Sequence, residues 1–93
     1  MESRAIKEEK KESRKIPRIY RIKDEVLQEG YDPCFAFIQK IEGDIIRYSI
    51  AFPFGHTLTF NKEDSYTDKR ENFFLVFRKL IGSERNYRVR LIG

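Results

Sequence analysis

Between Cys34 and Phe52 two runs of β-branched and aromatic residues flank Glu42-Gly43-Asp44, and this arrangement constrains the fold more than anything else in the chain. Two such runs joined by a short Gly-containing turn read as an antiparallel hairpin. In the second arm Ile46, Tyr48 and Ile50 alternate with Ile45, Arg47 and Ser49, so one face is apolar and the other mixed. Pro53-Phe54-Gly55 breaks the run. His56-Thr57-Leu58-Thr59-Phe60 then resumes the alternation, with Leu58 and Phe60 on one face. The last stretch, Tyr87 to Ile92, alternates most cleanly. Tyr87, Val89 and Leu91 are expected to face the core and Arg88 and Arg90 to face outward, so replacing Val89 by Asp is expected to unfold or dissociate the protein.

The segments between these runs read less sharply. Arg18 to Ile22 suits a short extended segment, and Asp24 to Glu29 a single helical turn closed by Gly30. Ser65 with Asp68 three residues on has the spacing of a capping box that opens a helix. The run Phe73 to Ile81 fits a strand through its Phe and Val content, although Phe73, Val76, Phe77, Leu80 and Ile81 also lie on a helical stripe. Strand is the favoured reading, and Arg78, Lys79 and Arg85 would lie near Arg88 and Arg90 if this run is the hairpin partner of the final strand. The expected fold is mainly β, with an α+β variant open. It is a small antiparallel sheet, or a barrel of the SH3-like or OB-like kind, of about five strands.

Ahead of this domain, residues 1–17 form a different kind of sequence. Ala5 and Ile6 are the only internal apolar residues before Ile16, and Pro17 stops any helix running into it, because it lacks an N–H and biases Ile16 away from the helical region. The expected organisation is a flexible basic tail over 1–17 and one domain over 18–93. A domain of that size builds a marginal core, which a homodimer or a larger complex would extend. The single cysteine, Cys34, excludes an internal disulfide framework and suits a reducing, cytoplasmic setting. Abundant Lys, Arg and Glu with few Gln, Asn, Met and Cys lean toward a thermophile composition.

The 93 residues carry a net charge of only +4, but the charge is segregated. Met1 to Lys23 holds nine Lys or Arg against four Glu, Asp24 to Phe77 five against ten acids, and Arg78 onward five against Glu84 alone. Clustered charge sets a local potential that the average hides, and basic ends on an acidic body suit a polyanion. The candidate DNA- or RNA-binding residues are Lys10, Lys11, Arg14, Lys15, Arg18 and Arg21 at one end. Arg78, Lys79, Arg85, Arg88 and Arg90 stand at the other, with Tyr87 as a stacking group. Two residues apart on one strand face, Arg88 and Arg90 stand about 6.5 Å apart, close to the phosphate spacing of a nucleic-acid strand. Charge that protects an edge strand from aggregation gives the same pattern. Tyr20, Tyr31, Tyr48 and Tyr66 are further candidates for exposed platforms, and Phe52-Pro53-Phe54-Gly55-His56 for an apolar knob.

An enzyme reading has little to draw on. One His, one Cys and no Gly-rich phosphate loop leave carboxylates as the available chemistry. Asp32, Glu42, Asp44, Glu63 and Asp64, beside Lys40 or Lys62, have no spacing specific to a metal nuclease, and turns account for them. No catalytic residue, metal or cofactor is expected. The expected function is a non-enzymatic nucleic-acid-binding protein or accessory subunit of a nucleoprotein complex. The alternative is a protein-interaction module that docks a larger partner.

Overall fold

The computed structural model describes residues 18–93. The expected basic tail over 1–17 lies outside them, and with it Lys10, Lys11, Arg14 and Lys15.

The hairpin forms where its sequence demands it. Strands β2 (Phe35–Glu42) and β3 (Ile45–Ala51) pair antiparallel with Glu42 opposite Ile45, which leaves Gly43-Asp44 as a two-residue loop. Gly43 takes φ +59°, a left-handed value that such a loop needs and that glycine adopts without a Cβ clash. A bulge between Ile38 and Lys40 frees Gln39 from the ladder. Its side-chain amide donates to the hydroxyl of the fully buried Ser49 at 3.0 Å and to the carbonyls of Lys62 and Asp64. The bulge therefore satisfies a buried hydroxyl and ties the polar 62–64 loop to the sheet.

Strand β1 (Ile19–Ile22) adds to β2 on one side of this hairpin, while β5 (Tyr66–Lys69) adds to β3 on the other. After β1 the chain makes one helical turn, with the Leu27 N–H donating to the Lys23 carbonyl at 3.1 Å. Gly30 ends this segment at φ +88°. The stretch expected as one strand over Phe73 to Ile81 divides in two. Helix α1 (Arg70–Val76) comes first, and β6 (Phe77–Lys79) follows and pairs antiparallel with β1. The result is a five-stranded antiparallel sheet in the order β5-β3-β2-β1-β6, with β4 (Thr57–Asn61) outside it. Of the two expected arrangements, the chain adopts the sheet.

The division at Phe77 has a packing cause. Phe73 and Phe77 stack at 4.9 Å, and Tyr20 and Tyr48 meet the Phe73 ring edge-on at 5.5 and 5.0 Å. The strand face carrying Tyr20, Ala36, Ile38 and Ile46 is covered by these two rings, so two helical turns suffice to close it. Continuing the helix would draw Phe77 away from its place opposite Ile22. The expected Ser65 and Asp68 capping box is corrected as well. Both residues precede the helix, whose N-cap is Lys69 with no side-chain cap, and the Arg70 N–H is satisfied instead by the Asp44 carbonyl at 2.7 Å.

The opposite face of the sheet is covered by a two-stranded ribbon in which β4 and β7 (Arg88–Ile92) run parallel. Leu58 and Phe60 of β4 are completely buried there with Phe35 and Ala51, and Ile19, Phe37, Leu80 and Tyr87 pack around them. This corrects the expected hairpin of β7 with the preceding run. A 3-10 helix (Gly82–Asn86) turns the chain away from β6, and β7 emerges beside β4, with the Arg88 N–H donating to the His56 carbonyl at 2.7 Å. Among the described residues no helix is long and apolar enough to cross a membrane.

Candidate nucleic-acid interface

Parallel register fixes which β7 side chains stand together. Thr57 lies opposite Arg88, Thr59 opposite Arg90 and Asn61 opposite Ile92, while Leu58 and Phe60 lie opposite Val89 and Leu91. Paired residues share a face of the sheet, so Arg88 and Arg90 stand with two threonines on the outer face and Val89 and Leu91 on the side of the core. The expected direction of each side chain therefore holds, but the expected burial does not. All five residues of β7 are exposed, with Val89 and Leu91 at 39% and 45%. The strand lies at the rim of the core, beyond the cover that β4 enjoys.

The remaining cations of the two basic blocks divide into engaged and open ones. Arg21 and Arg78 are directly opposite each other on β1 and β6, and the carboxylate of Glu84 lies between them. Arg78 grips it with two nitrogens, donating to Oε1 at 2.8 Å and to Oε2 at 2.9 Å, and the Arg21 Nε approaches Oε2 at 3.2 Å. The Ile81 N–H adds a fourth contact at 2.9 Å. Arg21 also bonds Asp24 at 2.8 Å. The hydrogen bonds from Arg78 hold the Glu84 pKa down to about 2, and the same bonds raise that of Arg78. Two carboxylates thus offset two guanidinium groups, and this pair contributes little to a positive field.

Arg18 is exposed, with its guanidinium on the carbonyls of Ile38 and Gln39 at 2.9 and 3.4 Å. Lys79 at the end of β6 and Arg85 within the 3-10 helix are exposed, with the Arg85 Nε on the Leu80 carbonyl at 3.5 Å. Arg88 and Arg90 form no ion pair among the described residues. The open cations are therefore Lys79, Arg85, Arg88 and Arg90, with Arg88 and Arg90 on the one regular face. Thr57 and Thr59 were missed as companions of that face. Their alternation was visible in the third run, but the parallel pairing that brings them to Arg88 and Arg90 was not.

The aromatic candidates change as well. Tyr87 is half-buried, edge-on against Phe35 at 5.0 Å, and so anchors the ribbon instead of offering an open ring. Tyr20 is 4% exposed and Tyr48 is half-covered by Phe73 and Phe77, and burial raises the pKa of both phenols. Tyr31 and Tyr66 remain open. Phe54 projects at 88% exposure from a turn closed by reciprocal backbone bonds with Thr57, so the apolar knob is a real surface feature.

Among the described residues no three His, Cys, Asp or Glu side chains gather as a metal site. Cys34 is a free thiol whose pKa burial pushes up, a setting that disfavours the reactive thiolate. Comparison of the chain with protein-family models, curated proteins and solved structures finds no match.

Proposed function

We propose that the protein is a non-enzymatic nucleic-acid-binding protein, acting as an accessory subunit of a nucleoprotein complex, and that the outer face of β7 contacts phosphates. The observation that carries this reading is the pair Arg88 and Arg90, exposed side by side without an ion-pair partner among the described residues, with Thr57 and Thr59 as neighbouring hydroxyl donors. Two guanidinium groups at strand spacing match successive phosphates in charge and in distance. Lys79 and Arg85 would extend the positive field, and the basic N-terminal sequence would add sequence-independent affinity. The contacts are to the backbone, so recognition would be weakly selective for base sequence.

Replacing Arg88 and Arg90 together by Ala should weaken binding to DNA and RNA by roughly 1–3 kcal/mol at moderate salt and flatten the dependence of affinity on salt. Fluorescence anisotropy with labelled oligonucleotides, repeated over a salt series, reads both effects. Both side chains are exposed, so the melting temperature should stay near that of the parent chain. Unchanged affinity and salt slope in the double variant would remove β7 from the interface.

A further inference from the structure

β7 is held along one edge only. Among the described residues its single strand neighbour is β4. The Arg88 N–H donates to His56 and the Ile92 carbonyl accepts from Lys62, so backbone groups of Arg88, Arg90 and Ile92 turn toward β4. By strand alternation those of Val89 and Leu91 turn outward, where they meet no other strand of the described residues. The same two residues leave 39% and 45% of their surface exposed, whereas Leu58 and Phe60 beside them are fully buried. Open backbone bonds and a half-covered apolar stripe coincide on one strand. The other sheet edges lack this combination. β6 spans three residues, β5 presents Tyr66, Thr67, Asp68 and Lys69, and the apolar Leu58 and Phe60 of β4 are fully buried.

We propose that the free edge of β7 is a strand-addition site for an extended protein segment in which acidic and apolar residues alternate. An added strand satisfies the outward N–H and C=O groups of Val89 and Leu91 and brings its own side chains opposite those of β7. On the outer face they meet Arg88 and Arg90, where acids attract and cations repel. On the inner face they meet Val89 and Leu91, where apolar groups continue the layer of Leu58 and Phe60. Charge complementarity and burial thus select one repeating pattern. A second copy of β7 fits less well, because the register that overlaps two such strands fully brings Arg90 against its own counterpart. Carboxylates added beside Arg88 and Arg90 would also neutralise the face assigned above to phosphates, so partner and nucleic acid would exclude each other. That exclusion rests on the preceding reading, whereas strand addition itself does not.

The test needs no nucleic acid. A synthetic peptide of alternating Glu and Val, and its counterpart with Lys in place of Glu, are titrated into the full chain while backbone amide resonances are followed. The Glu peptide should bind with its largest shifts at the Val89 and Leu91 amides, and the Lys peptide should bind about three- to tenfold more weakly. The double change Arg88→Glu with Arg90→Glu should reverse that order. Failure of the Glu peptide to bind, equal binding of the two peptides, or shifts centred on β5 or β6 would overturn the proposal. So would self-association through the β7 edge in the absence of peptide. Should the charge-reversed chain lose its dispersed spectrum, the two-peptide comparison on the unaltered chain decides the question.

Discussion

At Glu84 two guanidinium groups from two strands converge on one carboxylate. Its carboxylate bonds Arg78 through both oxygens and approaches Arg21, which comes from a strand far away in sequence. With its folded-state pKa at about 2, below the ordinary carboxyl value, the folded chain binds fewer protons than the unfolded chain in acid. The stabilisation is therefore complete above the ordinary carboxyl range and declines as pH falls toward about 2. Glu84→Gln should lose roughly 1–3 kcal/mol near neutral pH and show a shallower acid decline than the parent chain. Thermal melts from neutral pH into acid check this, and parallel acid limbs for the two chains would deny Glu84 the role. In sequence, Glu84 is the one acid of a basic block. Nothing in that pattern reveals the pairing of β1 with β6 that turns Arg21 and Arg78 inward. These two candidates were thus legible as charges but not as occupied ones.

At the scale of elements, legibility followed the source of the signal. The β2–β3 hairpin is encoded locally, by alternation and by Gly43, and it forms where the sequence places it. The Phe73 to Ile81 run carries two periodicities, and tertiary packing chose between them: Phe73 caps the sheet from a helix and Phe77 enters the sheet. β7 was legible as a strand with its two faces in the right order, but its partner and cover depend on a parallel contact across some thirty residues of chain. The consequence is measurable. Leu58→Ala should cost about 2–5 kcal/mol, because Leu58 is wholly buried between ribbon and sheet. Leu91→Ala, and Val89→Asp at a site first expected to be buried, should each change stability far less, since both positions keep over a third of their surface in water. Denaturant melts of the three variants separate the cases, and a collapse of the Val89→Asp chain would show that β7 is covered in solution.

Across the whole molecule, one five-stranded sheet separates two apolar layers. The first is closed by Phe73 and Phe77, and the second by the β4/β7 ribbon. The acids of the middle block lie mainly in the turns and edges of that body, with Asp24, Glu25, Glu29 and Asp32 between β1 and β2 and Glu63 and Asp64 after β4. The open Arg side chains gather on β7 and the 3-10 helix before it. The segregation seen in the sequence is thus kept in space over the described residues, although Arg21 and Arg78 drop out of the positive field. The basic N-terminal sequence then has a separable role to test. Its first fifteen residues hold too few apolar side chains to bury a face, yet six Lys or Arg stand there against four Glu. Deleting Met1 to Lys15 should leave the melting transition in place, weaken polyanion binding and reduce its salt slope, because fewer counterions are released on contact. The contribution should add to that of Arg88 and Arg90, since the two sets of cations would each neutralise phosphates of their own. Binding isotherms for the deletion, the double Arg variant and their combination, over a salt series, measure that additivity. A large fall in melting temperature on deletion would instead make the N-terminal sequence part of the fold.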